Sequence, residues 1–159
     1  MLSKARNIVA GAVALACLLP LSGCQAAARA YAINDNGVIS LRIVPGCDTT
    51  IQSVTVKYLP PPDDTSAPGF DELETVWSVT LKPGAAVQSI NLFTQVPDAT
   101  AEYTTANKDL TREVVISWTE DSGYENGVVG VLADLKPGYV LTQRGVEKAD
   151  AFLAVKHSC

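Results

Sequence analysis

The sequence predicts an all-β fold: an immunoglobulin-like antiparallel β-sandwich of about seven or eight strands with a short C-terminal helix. Three observations predict it. Apolar and polar residues alternate with period two in several separate segments. Turn signals built from Pro, Gly and Asn recur between those segments, spaced as short strands require. No strand pattern alternates with a long helical one, so a doubly wound parallel sheet is excluded.

The chain has 159 residues, 47% of them hydrophobic and 18% charged, which suits one domain with a packed core. Twelve Lys and Arg stand against 17 Asp and Glu, a net charge of −5. Phosphate binding needs a basic surface, so nucleic acid is excluded as a partner.

Taken in order, Ile39, Leu41 and Ile43 alternate with Val38, Ser40 and Arg42, a half-buried first strand from Gly37 onward. Pro45-Gly46 ends it. Val54, Val56 and Tyr58 share one face of a second strand. The prolines from Pro60 to Pro68 make a long loop, because proline cannot donate to a central ladder. Leu73, Thr75, Trp77, Val79 and Leu81 share a face of the third strand, and Val87 to Phe93 is the fourth. Residues 94–111 read as irregular, with a short strand near Tyr103. Glu113 to Thr119 is a strand with Val114, Ile116 and Trp118 aligned. Glu120 to Gly127 reads as an acidic hairpin loop turning at Asn126-Gly127. Val128 to Ala133 returns as a strand with a bulge expected at Gly130, and Tyr139 to Gln143 is another. Leu-Lys-Pro-Gly occurs at 81–84 and 135–138, one turn chemistry used twice. The end, Glu147 to Lys156, reads as a short helix or helical turn, with Phe152 to Val155 as a last strand the competing reading.

The N-terminus is an address. Lys4 and Arg6 precede an uncharged apolar run from Ile8 to Leu19, too short to cross a bilayer, which takes about 20 residues. The run closes on Leu21-Ser22-Gly23-Cys24. This segment resembles bacterial lipoprotein precursors, whose lipobox reads Leu, a small residue, Gly or Ala, then Cys. The resemblance covers the first 24 residues and implies a signal peptide over residues 1–23. It further implies a diacylglyceryl thioether on Cys24, cleavage before it, and a fatty acyl group such as palmitate on the new amino group. Two acyl chains anchor a protein stably where one chain is marginal. Residues 24–36 are then the lipidated Cys and a tether, and 37–159 the sandwich. The expected location is the extracytoplasmic face of a cell membrane. The competing reading is secretion, with cleavage after Ala28-Arg29-Ala30.

Of four cysteines, Cys17 leaves with the signal and Cys24 carries lipid. Cys47 and Cys159 remain, and in an oxidising compartment the expectation is a disulfide between them. His157 and Cys159 are too few and too close to form a zinc site with Cys47.

No catalytic set is evident. His157 is the one histidine, and no Gly-x-Ser-x-Gly elbow occurs. Glu72, Glu74, Glu120, Asp121 and Glu125 could supply a carboxylate pair for a hydrolase, but a solvated strand face and an acidic loop account for them. Glu120, Asp121, Glu125 and Asn126 are the calcium candidates, offering hard oxygen ligands without the standard loop spacing. Phe70, Tyr103 and Tyr124 are the candidate contacts to a partner, while Trp77 and Trp118 face the core by periodicity. The expected function is non-catalytic binding of an envelope or extracellular component, protein or glycan, with no cofactor. A structural or accessory subunit of an envelope complex is the second reading, and a hydrolase using acidic residues the third.

Overall fold

The computed structural model describes residues 29–64, 68–155 and 157; the lipobox, Cys24 and Cys159 lie outside them. Ten strands follow in order: β1 (Ala30–Asp35), β2 (Val38–Ile43), β3 (Ile51–Tyr58), β4 (Thr75–Leu81), β5 (Ser89–Asn91), β6 (Ala99–Thr104), β7 (Glu113–Glu120), β8 (Glu125–Val131), β9 (Tyr139–Thr142) and β10 (Gly145–Lys148). Helix α1 (Ala149–Ala154) ends the fold. Two five-stranded antiparallel sheets face each other, in the orders β10-β9-β1-β2-β5 and β6-β4-β3-β7-β8. The sandwich is therefore as expected, and the C-terminal helix is present.

The core is built by alternation. On β3, Val54 and Val56 are buried; on β7, Val114, Ile116 and Trp118; on β4, Trp77 and Val79. Register sets Val54 beside both Val79 and Trp118, and Val56 beside both Trp77 and Ile116. Each strand therefore delivers one apolar face inward, as a period of two requires.

Ten strands are described because the first and tenth escape the periodic pattern, while the short strand expected near Tyr103 is β6. Residues 30–35, expected within the tether, form β1 at the centre of its sheet, so the sandwich takes in residues ahead of the expected start at Gly37. Ala30, Tyr31, Ala32 and Ile33 are all buried, so both faces of β1 are covered, with Phe152 of α1 against Tyr31. Alternation vanishes when both faces are covered. Phe152 of α1 stands 5.2 Å from the Tyr31 ring and carries that outer layer. The β1–β2 turn is Asn36-Gly37, with φ of 53° and 93°, the two positive values a type I′ hairpin turn needs.

Asn126-Gly127 is not the turn expected there; both residues lie inside β8, and the chain reverses earlier, where Gly123 has φ 80°. Gly127 is needed for closeness, since a Cβ would stand 3.1 Å from the Ile116 carbonyl oxygen. Gly130 is likewise not a bulge, because β7 and β8 pair in unbroken register. A Cβ on Gly130 would stand 2.8 Å from Leu141 Cδ1, so this glycine lets β8 approach β9 of the other sheet. The fourth expected strand shrinks to Ser89–Asn91. The repeated tetrad behaves as read: Ala85 N–H donates to Lys82 O and Tyr139 N–H to Lys136 O, each at 3.1 Å, with Gly84 and Gly138 at φ 82° and 84°.

Candidate functional site

Two regions gather functional groups: the end of the sandwich around Arg29 at the start of β1, and the outer face of the β6-β4-β3-β7-β8 sheet.

At the first, the inward parity of β7 that buries Ile116 and Trp118 also buries Glu120, whose side chain has no exposure. A carboxylate there needs compensation. Arg29 Nη1 donates to Glu120 Oε2 at 2.9 Å. Thr49 Oγ1 lies 3.0 Å from the same oxygen and 2.8 Å from Asp121 Oδ1, so its single hydroxyl hydrogen serves two carboxylates. Trp118 Nε1–H points at Glu120 Oε1 from 3.5 Å. The Arg29 guanidinium also lies 4.7 Å over the Tyr124 ring. Arg29 O accepts from Val44 N–H, which locks the incoming chain to the end of β2. The Thr49 hydroxyl holds the Asp121 carboxyl below its ordinary range.

The second region begins with β3. Its outward residues Ser53 and Thr55 stand beside Thr80 and Ser78 of β4 on one side, and beside Thr119 and Ser117 of β7 on the other. The result is a patch of six hydroxyls on three adjacent strands. Over it lies a single 3₁₀ turn, Phe70–Glu72, at the end of the proline loop. The turn is held by Gly69 N–H donating to Glu72 Oε2 at 3.1 Å and by Leu73 N–H donating to Phe70 O at 3.3 Å. Lys57 fixes it to the sheet: this lysine is buried, its Nζ donates to Phe70 O at 2.8 Å and lies 4.4 Å from the Phe70 ring centroid. Phe70 itself is 47% exposed. Between turn and sheet is a cleft of about 250 Å³, lined by hydroxyls of β3 and β7, by Asp71 of the turn and by Glu125 of β8.

The calcium candidates are thereby separated. Glu120 faces the core against Arg29, Asp121 bonds Thr49, Glu125 borders the outer cleft, and Asn126 accepts from Gly127 N–H and from the Gln143 side chain. Among the described residues, no three His, Cys, Asp or Glu side chains converge as a metal site. Three of the five carboxylates considered for hydrolysis have partners of their own: Glu72 caps its own turn, Glu74 pairs with Arg112 at 3.5 Å, and Glu120 pairs with Arg29.

The three aromatic candidates part company. Phe70 overhangs the cleft, Tyr103 is 51% exposed on edge strand β6, and Tyr124 is covered by Arg29. His157 packs 4.3 Å from the Phe152 ring and bonds Phe152 O, so it belongs to the seating of α1. Arg29, Thr49 and Lys57 were not singled out by sequence reasoning. One signal could have found Arg29: an acid at an inward strand position demands a cation.

No known protein family, curated protein or solved structure matches the chain.

Proposed function

We propose that this chain is a lipid-anchored extracytoplasmic lipoprotein whose sandwich binds an envelope or extracellular component without catalysing a reaction. The observation that carries this reading is the Arg29–Glu120 pair, 2.9 Å long, five residues beyond Cys24. Only Gln25 to Ala28 separate Cys24 from Arg29. At about 3.5 Å per residue the acyl groups attach within roughly 18 Å of the fold. The Arg29 end, with the Val44–Thr50 and Asp121–Tyr124 turns, then faces the bilayer.

The same pair weighs against cleavage before Tyr31. That cut would remove Arg29, leave Glu120 buried without its cation, and delete the Ala30–Ile43 pairing at the start of β1. Cleavage before Cys24 retains all of it.

A Cys47–Cys159 disulfide belongs to the same proposal. Cys47 is buried, three residues beyond Val44, whose N–H bonds Arg29 O. At the other end of the chain, His157 lies on Phe152, and Phe152 lies on Tyr31 in β1. Two residues can span about 7 Å, which is the reach from His157 to Cys159.

One feature favours the accessory-subunit reading as well. Edge strand β6 is exposed along nearly all its length, and Ala99–Thr104 contains neither Lys nor Pro to blunt it. Such an edge accepts a strand from a protein partner.

The deciding experiment is the intact mass of protein extracted from membranes, with and without reductant. A chain starting at Cys24 with a diacylglyceryl group, gaining about 2 Da on reduction, is the expected result. A bare chain starting at Tyr31 overturns the anchor, and an unchanged mass on reduction overturns the disulfide. Cross-linking in intact membranes then tests for a stoichiometric protein partner on β6.

A further inference from the structure

The cleft beneath the Phe70–Glu72 turn has the chemistry of a ligand site of a definite class. Its floor is hydroxyl. Ser53 and Thr55 face Thr119 and Ser117 directly across the β3–β7 ladder. Neighbouring strands lie about 4.8 Å apart and like-facing residues about 6.7 Å apart along a strand, so the floor repeats donors and acceptors on that grid. Each hydroxyl both donates and accepts. The two carboxylates at its border, Asp71 and Glu125, only accept. A ligand that satisfies them must bring its own donors.

The overhanging aromatic is apolar and fixed in place. Burying a lysine is costly, yet Lys57 is buried beneath this turn and directs its ammonium to Phe70 O and the Phe70 ring. Its charge is engaged there, and Lys57 is not among the residues lining the cleft. An exposed ring held this way loses little freedom when a ligand covers it. It offers a flat apolar surface to a ligand that is itself apolar on one face and rich in hydroxyls at its edge.

Charge narrows the class. The cleft is lined by two carboxylates and no cation, and the whole chain carries −5, so phosphorylated, sulfated or uronate-rich ligands are repelled. A peptide would seek backbone partners at a sheet edge, whereas this face offers side-chain hydroxyls in the middle of a sheet.

We propose that this cleft binds a neutral oligosaccharide, with Phe70 against the C–H face of one pyranose ring and Asp71 and Glu125 accepting hydrogen bonds from its hydroxyls. This inference rests on the reading of the domain as an extracytoplasmic binding module and names the ligand class. Tyr103 lies on the same outer face, beside Ser78, and extends the surface toward the β6 edge for a longer chain.

The test is a titration of the purified lipoprotein in mild detergent, followed by amide NMR. The probes are linear hexasaccharides of glucose, mannose and N-acetylglucosamine, with dextran sulfate as the anionic comparison. At least one neutral probe should bind in the micromolar to millimolar range and shift the amides of Phe70, Asp71, Ser117 and Thr119. Phe70→Ala should weaken it at least tenfold. Phe70→Leu, which keeps bulk but loses the flat ring and its contact with Lys57, should weaken it as well while the circular dichroism of the folded sandwich is retained. Asp71→Asn with Glu125→Gln should weaken binding of the neutral probe and lessen the exclusion of dextran sulfate. No neutral probe binding at 10 mM, shifts confined to another face, binding of dextran sulfate alone, or undiminished binding by Phe70→Leu would each overturn the inference. These outcomes leave the anchor reading intact, because that reading is tested by the intact mass.

Discussion

Replacing Arg29 by Ala isolates the interaction that joins the start of the fold to its core. Glu120 would keep its Thr49 and Trp118 contacts but lose its cation, while its side chain stays fully buried. Breaking a buried ion pair from one side costs about 3–5 kcal/mol. The Arg29 side chain is 29% exposed, so water reaches part of the pair and the cost is discounted by about 1 kcal/mol from that scale. We expect Arg29→Ala to cost about 2–4 kcal/mol. In a domain of this size that lowers the melting temperature by roughly 6–15 °C. Glu120→Gln keeps a hydrogen-bond acceptor and removes the charge, so it should cost about 1–2 kcal/mol. The double variant should cost clearly less than the sum, since Arg29 has no buried charge left to compensate; a coupling of at least 1 kcal/mol is expected. The assay is urea unfolding of the mature chain in mild detergent, read by tryptophan fluorescence. A loss below about 0.5 kcal/mol for Arg29→Ala, or strict additivity in the cycle, would refute the argument and make the pair an incidental contact.

Gly130→Val should destabilise by about 1–3 kcal/mol, because its Cβ meets Leu141, itself 1% exposed; unfolding midpoints that match wild type would show that the two sheets are not in close contact there. Phe152→Ala should cost about 3–4 kcal/mol and speed hydrogen exchange in β1 and β9, since this buried ring covers Tyr31; exchange rates unchanged in β1 would contradict the layered description. The Asp121 carboxyl is lowered from 3.8, so its contribution is complete above the unfolded value and is lost as pH falls through the folded one. Melting temperature should therefore drop below about pH 4, and Thr49→Val should flatten that acid limb. Burial raises the Tyr31 hydroxyl above 10.0, so stability that is intact below that value should fall as pH rises beyond it, and Tyr31→Phe should remove that alkaline loss.

Where one sheet face meets the core and the other meets water or polar groups, the pattern was readable. Strands β3, β4 and β7, the inward placing of Trp77 and Trp118, and both Lys-Pro-Gly turns follow from spacing alone. Where both faces are covered, as at Ala30 to Ile33, periodicity disappears and β1 passed for a tether. The two Asn-Gly pairs show the limit of local signals. Asn36-Gly37 turns and Asn126-Gly127 does not, because the latter lies in a ladder against Ile116 and Ser117. Strand β6 is neither alternating nor buried, and only its pairing to β4 makes it a strand.

By itself the sequence determined the class of fold and the inward faces of its regular strands, and it supplied the Leu21-Ser22-Gly23-Cys24 motif on which the proposed anchor rests. These depend on neighbours within a few residues, which the chain order displays. Tertiary structure alone decided which distant groups meet. Arg29 and Glu120 are 91 residues apart, and Lys57 reaches Phe70 across the proline loop. Burial of Glu120 makes its cation necessary, and the fixing of Phe70 makes an exposed ring into the edge of a cleft. Both are consequences of how two sheets and one turn pack, and packing is not written in any short stretch of residues.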